Sequence, residues 1–181
     1  MEQLREEGFF EAEGGADIPD EINADTLAHG DVLQITEVAD KGSEGVCDEQ
    51  DWLELWIDPI ASPGGLDLSG FLLLTDDLEG NWTFPAGNQG RYPAGYSFIC
   101  FMGDDPVAGP TTFTLGSNDV VIIKDTSGAI VATSPQRARW GAYGVVYARV
   151  STDNENFVYT TTPTPGAENK VSQITWLALY L

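Results

Sequence analysis

The stretch Asp51-Trp52-Leu53-Glu54-Leu55-Trp56-Ile57-Asp58 decides the fold class. In an extended chain Leu53, Leu55 and Ile57 fall on one side, and Trp52, Glu54 and Trp56 on the other. That is the two-residue period of a strand with one face in a core, not the 3.6-residue period of a helix. Glu54 alternates away from the apolar side, which makes it either a surface residue or a partner for a buried backbone donor.

Working outward, the same texture repeats. Runs rich in branched and aromatic residues span 32–38, 71–75, 81–84, 96–102, 111–115, 120–124, 129–134, 143–150 and 157–161. Turn residues separate them, as in Pro63-Gly64-Gly65, Asp76-Asp77-Leu78-Glu79-Gly80, Pro93-Ala94-Gly95 and Pro163-Thr164-Pro165-Gly166. Asp125-Thr126-Ser127-Gly128 between two apolar runs predicts a tight hairpin. About ten strands at this spacing, with no helical period after residue 30, predict an all-β sandwich or barrel. Gly70 suits a bent strand, because it tolerates positive φ and close backbone approach.

The order of segments resembles the lamin tail domain family, an immunoglobulin-like sandwich. Val32-Leu33-Gln34-Ile35-Thr36-Glu37-Val38 is similar to that family's opening strand, and 51–58 to its Asp/Glu-Trp-x-Glu-Leu-aromatic strand. Leu66-Asp67-Leu68-Ser69-Gly70-Phe71-Leu72-Leu73 resembles its Asp-Leu-Ser-Gly-aromatic segment. Trp82-Thr83-Phe84-Pro85-Ala86-Gly87 and Tyr92-Pro93-Ala94-Gly95-Tyr96 resemble the turns that follow, and Thr162-Pro163-Thr164-Pro165-Gly166-Ala167-Glu168-Asn169 its Pro-Thr-Pro-Gly-Ala-x-Asn ending. Departures are the acidic head, the insertion 41–50, Asp58 in place of Asn, and the tail after Lys170. The resemblance implies an immunoglobulin-like β-sandwich over residues 32–169 that binds or spaces other molecules.

The flanks read differently. Residues 1–31 form an acidic head in which Gly14-Gly15 and Pro19 stop any helix, so mostly disordered chain is expected there, with the single histidine, His29, inside it. Residues 170–181 make a short apolar tail, either a last strand or the start of a continuation. No basic, apolar leader opens the chain and no run of 18 apolar residues occurs.

Charge narrows the partners. Twenty-nine acidic residues stand against eight basic ones, a net charge of −21. Such a surface repels phosphate backbones and anionic membranes, so other proteins or surface polymers are the expected partners, and nucleic acid and membrane insertion are not. Solubility in a salty medium is the plainer use of this charge.

Chemistry is sparse. One histidine and two cysteines provide neither a hydrolytic triad nor a His/Cys metal cluster, and no phosphate-binding glycine motif follows a strand. The sequence therefore predicts no catalytic residues, no cofactor and no metal, with Asp76, Asp77 and Glu79 as calcium candidates in one loop and Asp104-Asp105 in another. Glu37 and Glu54 are the conceivable glycosidase pair, against the simpler reading of strand glutamates on a solvated face. Cys47 and Cys100 are read as unpaired, although pairing is open for a secreted sandwich. Phe98 and Cys100 share one side of their strand, Ile99 and Phe101 the other. Asn81-Trp82-Thr83 is a glycosylation sequon. Trp52, Trp56, Trp82, Trp140 and Tyr143 are weighed as a sugar platform, each against a place in the core. The expectation is a non-catalytic, adhesion-type module of an extracellular or surface protein. The alternatives are an intracellular interaction domain of nuclear-lamin type and, further off, a sandwich hydrolase.

Overall fold

The computed structural model describes residues 32–77, 80–101, 111, 113–137 and 142–170. The acidic head, residues 102–110 and the tail beyond Lys170 lie outside the described residues, as do Glu79 and Trp140.

Among the described residues the apolar alternation builds eleven strands: β1 (Leu33–Ala39), β2 (Trp52–Ile57), β3 (Leu66–Asp67), β4 (Leu72–Thr75), β5 (Asn81–Thr83), β6 (Arg91–Tyr92), β7 (Gly95–Cys100), β8 (Val121–Lys124), β9 (Ile130–Thr133), β10 (Val146–Ser151) and β11 (Asn154–Thr160). They pair antiparallel into a five-stranded sheet in the order β11-β10-β1-β2-β7 and a four-stranded sheet β5-β4-β8-β9, with β3-β6 as a small third sheet. The two larger sheets enclose one core, as expected of a β-sandwich. Leu53, Leu55 and Ile57 enter it from β2, Leu33, Ile35 and Val38 from β1, and Leu73, Val121, Ile123 and Val131 from the facing sheet. Asp125 closes the β8–β9 hairpin, its Oδ1 accepting from the N–H groups of Ser127 (2.8 Å) and Ala129 (3.0 Å). Gly70 has the expected positive φ, +81°, but it lies in the turn between β3 and β4 and not within a bent strand.

Two expectations need correction. Residues 111 and 113–115 do not join a ladder. Side chains hold this stretch instead: Thr111 Oγ1 donates to the Cys100 carbonyl (3.1 Å) and Leu115 N–H to Asp51 Oδ2 (2.8 Å). Buried Arg137 ties the next turn through the carbonyls of Gly116 (2.5 Å) and Asp119 (3.2 Å) and lies 3.6 Å from Asp40.

The second correction concerns the cysteines, which are bonded to each other. Cys100 points away from the core on β7, directly opposite Trp52 of β2. The loop after β1 folds over that outer face, so Cys47 meets Cys100 while Trp52, Ala39, Val46 and Val146 form a second apolar cluster beneath the loop. The fold-over is tight. Cys47, Asp48 and Glu49 all have positive φ, and a Cβ on Gly42 would stand 2.0 Å from the Glu49 carbonyl oxygen.

Reducing this bridge, which spans 53 residues, should lower unfolding free energy by about 2–4 kcal/mol on the loop-entropy scale. Urea unfolding with and without reductant, compared with the Cys47→Ala, Cys100→Ala double variant, measures it. An unchanged midpoint would contradict a structural role for the bridge.

Candidate functional site

A β-bulge prepares the most unusual site in the molecule. Ile35 pairs with Leu55 and Glu37 with Glu54, so Thr36 is an extra residue in β1. Strict alternation would send Glu37 toward the core with Leu33 and Ile35. The bulge instead lets Thr36 and Glu37 both face outward and returns Val38 to the core. Glu37 and Glu54 thereby become cross-strand neighbours on the outer face, where side chains stand about 5 Å apart at their Cβ atoms.

Both carboxyl groups are buried, with 0% of either residue exposed. The expected solvated face is overturned for both, and for Glu54 the alternative of a partner to a backbone donor is what is found. The cover is a strap, residues 161–170, which leaves β11 and crosses over the sheet. Pro163 and Pro165 carry no N–H and favour extended neighbours, leaving the N–H groups of Thr164 and Gly166 to be satisfied. Thr164 N–H donates to Glu37 (3.1 Å to Oε1, 3.2 Å to Oε2) and Gly166 N–H to Glu54 Oε2 (2.6 Å). Thr36 Oγ1 donates to Glu54 Oε1 at 2.8 Å. Asn169 completes the attachment, its Nδ2 donating to the carbonyls of Thr36 (3.0 Å) and Arg149 (2.8 Å), beyond the Glu37–Ala148 pair of the β1–β10 ladder.

Burial raises the pKa of Glu37 from 4.5 to about 7, against the opposing hydrogen bonds from Thr164. Burial likewise pushes Glu54 from 4.5 up to about 8, with the neighbouring charge of Glu37 adding to the rise. Among the described residues the salt bridges are Arg91–Asp67 and Arg137–Asp40, so neither glutamate has a cationic partner. Two carboxyls this close titrate as a pair.

The other candidates are dispersed. Asp76 Oδ1 accepts from Val120 N–H (2.8 Å) and Asp77 Oδ1 from Thr75 Oγ1 (2.6 Å), so both fasten the turn after β4. Among the described residues no three His, Cys, Asp or Glu side chains gather as metal ligands. Trp52 is fully buried in the outer cluster, Trp82 packs 4.8 Å from Phe84 at the core, and Tyr143 is exposed, so these three form no common platform. A different aromatic array does exist. Tyr147 lies 4.8 Å from Tyr159 and 5.1 Å from Phe157, over whose ring Arg149 stacks at 5.4 Å. Tyr147 pairs with Val38 and so faces the core side, at the half-buried flank of the five-stranded sheet. Beside it a groove of about 210 Å³ between β1 and β9 is lined by Leu33, Gln34, Ile35, Val131, Arg149 and Glu155, among others.

Sequence reasoning missed Thr36, Thr164, Gly166 and Asn169 as site residues. The alternating prolines at 163 and 165 are the signal that could have found the strap.

No family model matches the chain, and no curated protein matches it. Among the described residues no helix is long and apolar enough to cross a membrane.

Two outcomes follow from the carboxyls. The Glu37–Glu54 pair binds protons more tightly folded than unfolded. Its stabilising contribution is therefore full below about pH 4.5 and declines as pH rises through about 7 to 8. Between pH 5 and pH 8.5 the native chain should lose on the order of 2 kcal/mol more than the Glu37→Gln, Glu54→Gln double variant in denaturant titrations. Parallel pH profiles would refute the assignment. At the β4 turn, calcium and magnesium chloride at matched ionic strength should raise the melting temperature equally, by screening the net charge. A shift specific to micromolar calcium, abolished by Asp76→Asn with Asp77→Asn, would instead establish a site there.

Proposed function

We propose that this chain is a non-catalytic binding or spacing module of a secreted or surface protein, an immunoglobulin-like sandwich of the lamin-tail kind. The observation that carries the reading is the fate of Glu37 and Glu54. The carboxylate pair considered for glycoside hydrolysis, Glu37 and Glu54, lies beneath the protein's own strap, and its oxygens are engaged by Thr36, Thr164 and Gly166. A hydrolase needs its acid and its base or nucleophile open to the sugar from both sides of the scissile bond. The open groove between β1 and β9 offers Glu155 as its one carboxylate.

The Cys47–Cys100 bridge supports an oxidising compartment, since such bonds persist mainly outside the reducing cytosol. The charge of −21 supports protein or polymer partners over nucleic acid. The strap residues 162–169 are those that resemble the ending of lamin tail domains, which ties the geometry to the resemblance.

Assaying the full chain on polysaccharide, ester and phosphate substrates tests this reading, and no turnover is expected. Activity that disappears in Glu54→Gln, with the variant's circular dichroism and unfolding midpoint intact, would replace it with a hydrolase.

A further inference from the structure

The strap contains a hydrogen-bond count that does not close unless a proton is added. Thr164 Oγ1 lies 2.9 Å from Glu37 Oε1 and 2.7 Å from Asn169 Oδ1. A hydroxyl has one proton and donates to one acceptor. Asn169 cannot supply the second proton by turning its amide over, because its Nδ2 already faces the carbonyl oxygens of Thr36 and Arg149, which only accept. The 2.7 Å contact therefore uses the Thr164 proton. The 2.9 Å contact then closes with Glu37 as the donor, its carboxyl protonated, which reverses the direction this contact takes toward an ionised Glu37. An ionised Glu37 would leave either itself or Asn169 Oδ1 with a lone pair against a lone pair, in a buried place where such a defect is expensive.

We infer that the strap is a proton-operated latch. Protonated Glu37 donates to Thr164, Thr164 donates to Asn169, and Asn169 grips β1 and β10. Loss of that one proton releases residues 161–170 from the sheet while the core stays folded. The inference rests on the strap geometry and not on the proposed function.

The surroundings fit a group held neutral. Glu54 faces Glu37 from β2, and its partners Thr36 Oγ1 and Gly166 N–H are the donors a carboxylate takes. Glu168 of the strap and Tyr96 of β7 face the same region, and the charges of Glu168 and Glu54 raise the Tyr96 pKa in turn, after burial. From β10 the strap meets the Arg149 carbonyl, while the guanidinium is held by the carbonyls of Ile35 (3.4 Å) and Asn154 (3.1 Å). Among the described residues no cation pairs with either carboxyl to offset a second negative charge. Burial and mutual repulsion push Glu54 somewhat higher than Glu37, yet the hydrogen-bond count puts a proton on Glu37. The two carboxyls share their titration, and the geometry decides which oxygen carries the proton in the latched state.

Amide hydrogen exchange on the full chain, corrected for intrinsic rates, tests the latch. The protection of the Thr164 and Gly166 amides, taken relative to that of Leu55 in the core, should fall about tenfold or more between pH 5.5 and pH 8.5. Glu37→Gln should abolish that fall, because a side-chain N–H at this position donates to Thr164 Oγ1 at every pH. A constant ratio in the native chain, or an equal fall in Glu37→Gln, would overturn the inference. Should that variant fail to fold, the carboxyl carbon resonance of Glu37 in the native chain decides. A midpoint above about 6, moving together with the Thr164 and Asn169 signals, sustains the latch, and a midpoint near the ordinary 4.5 ends it.

Discussion

The extra residue at Thr36 is the constraint on which the outer half of this structure depends. Without it Glu37 would sit in the core row between Ile35 and the next apolar residue, with nothing to hydrogen-bond its oxygens. Burying a carboxyl that way costs several kcal/mol even when it neutralises. The bulge moves Glu37 to the other face and sets it beside Glu54, where the strap has two N–H groups in need of acceptors. One inserted residue thus decides where the pair stands, what covers it and how it titrates.

The strap is half of a larger arrangement. The outer face of the five-stranded sheet is covered at one end by the loop that Cys47 staples to Cys100, and at the other by residues 161–170. Trp52 lies under the loop and Glu54 under the strap, two positions apart on the same side of β2. β2 is consequently buried on both sides over most of its length, although it sits in an antiparallel sheet whose outer face would ordinarily be wet. The two covers use different physics. The loop contributes apolar burial and a covalent tie, and the strap contributes hydrogen bonds to Glu37, Glu54 and two carbonyls.

This difference explains what the sequence disclosed. The side of β2 that carries Leu53, Leu55 and Ile57 was legible, because alternation is a local signal and the core obeys it. The Asp125–Gly128 hairpin was legible for the same reason. The burial of Glu37 was not, since a bulge breaks the alternation from which facing is read, and the covering residue Thr164 lies 127 positions away. Cys47 and Cys100 are 53 positions apart, and their meeting depends on a loop with three consecutive left-handed residues, a path that propensity argues against. The run 111–115 reads apolar enough for a strand but follows side-chain acceptors at Asp51 and the Cys100 carbonyl instead. Long-range side-chain contacts override local pattern at each of these places.

Why carboxyl groups stand here, rather than the leucines that would bury better, follows from what the face of a sheet can offer. Backbone donors and acceptors of a sheet point sideways into the ladders, so a segment that crosses over the face meets side chains and finds almost no backbone partners. The stretch turns at Pro165-Gly166, where Ala167 N–H donates to the Thr164 carbonyl (3.0 Å), and the N–H groups of Thr164 and Gly166 are left to side-chain acceptors. Leucines at 37 and 54 would take the side-chain acceptors away from both N–H groups. Glutamines would accept, but each also brings an N–H pair that needs its own partners. A glutamate that can take up a proton meets both demands, as acceptor toward the backbone and as donor toward the Thr164 hydroxyl, and it avoids placing two full charges side by side. The same property that lets the pair hold the strap in a dry place makes that hold depend on pH.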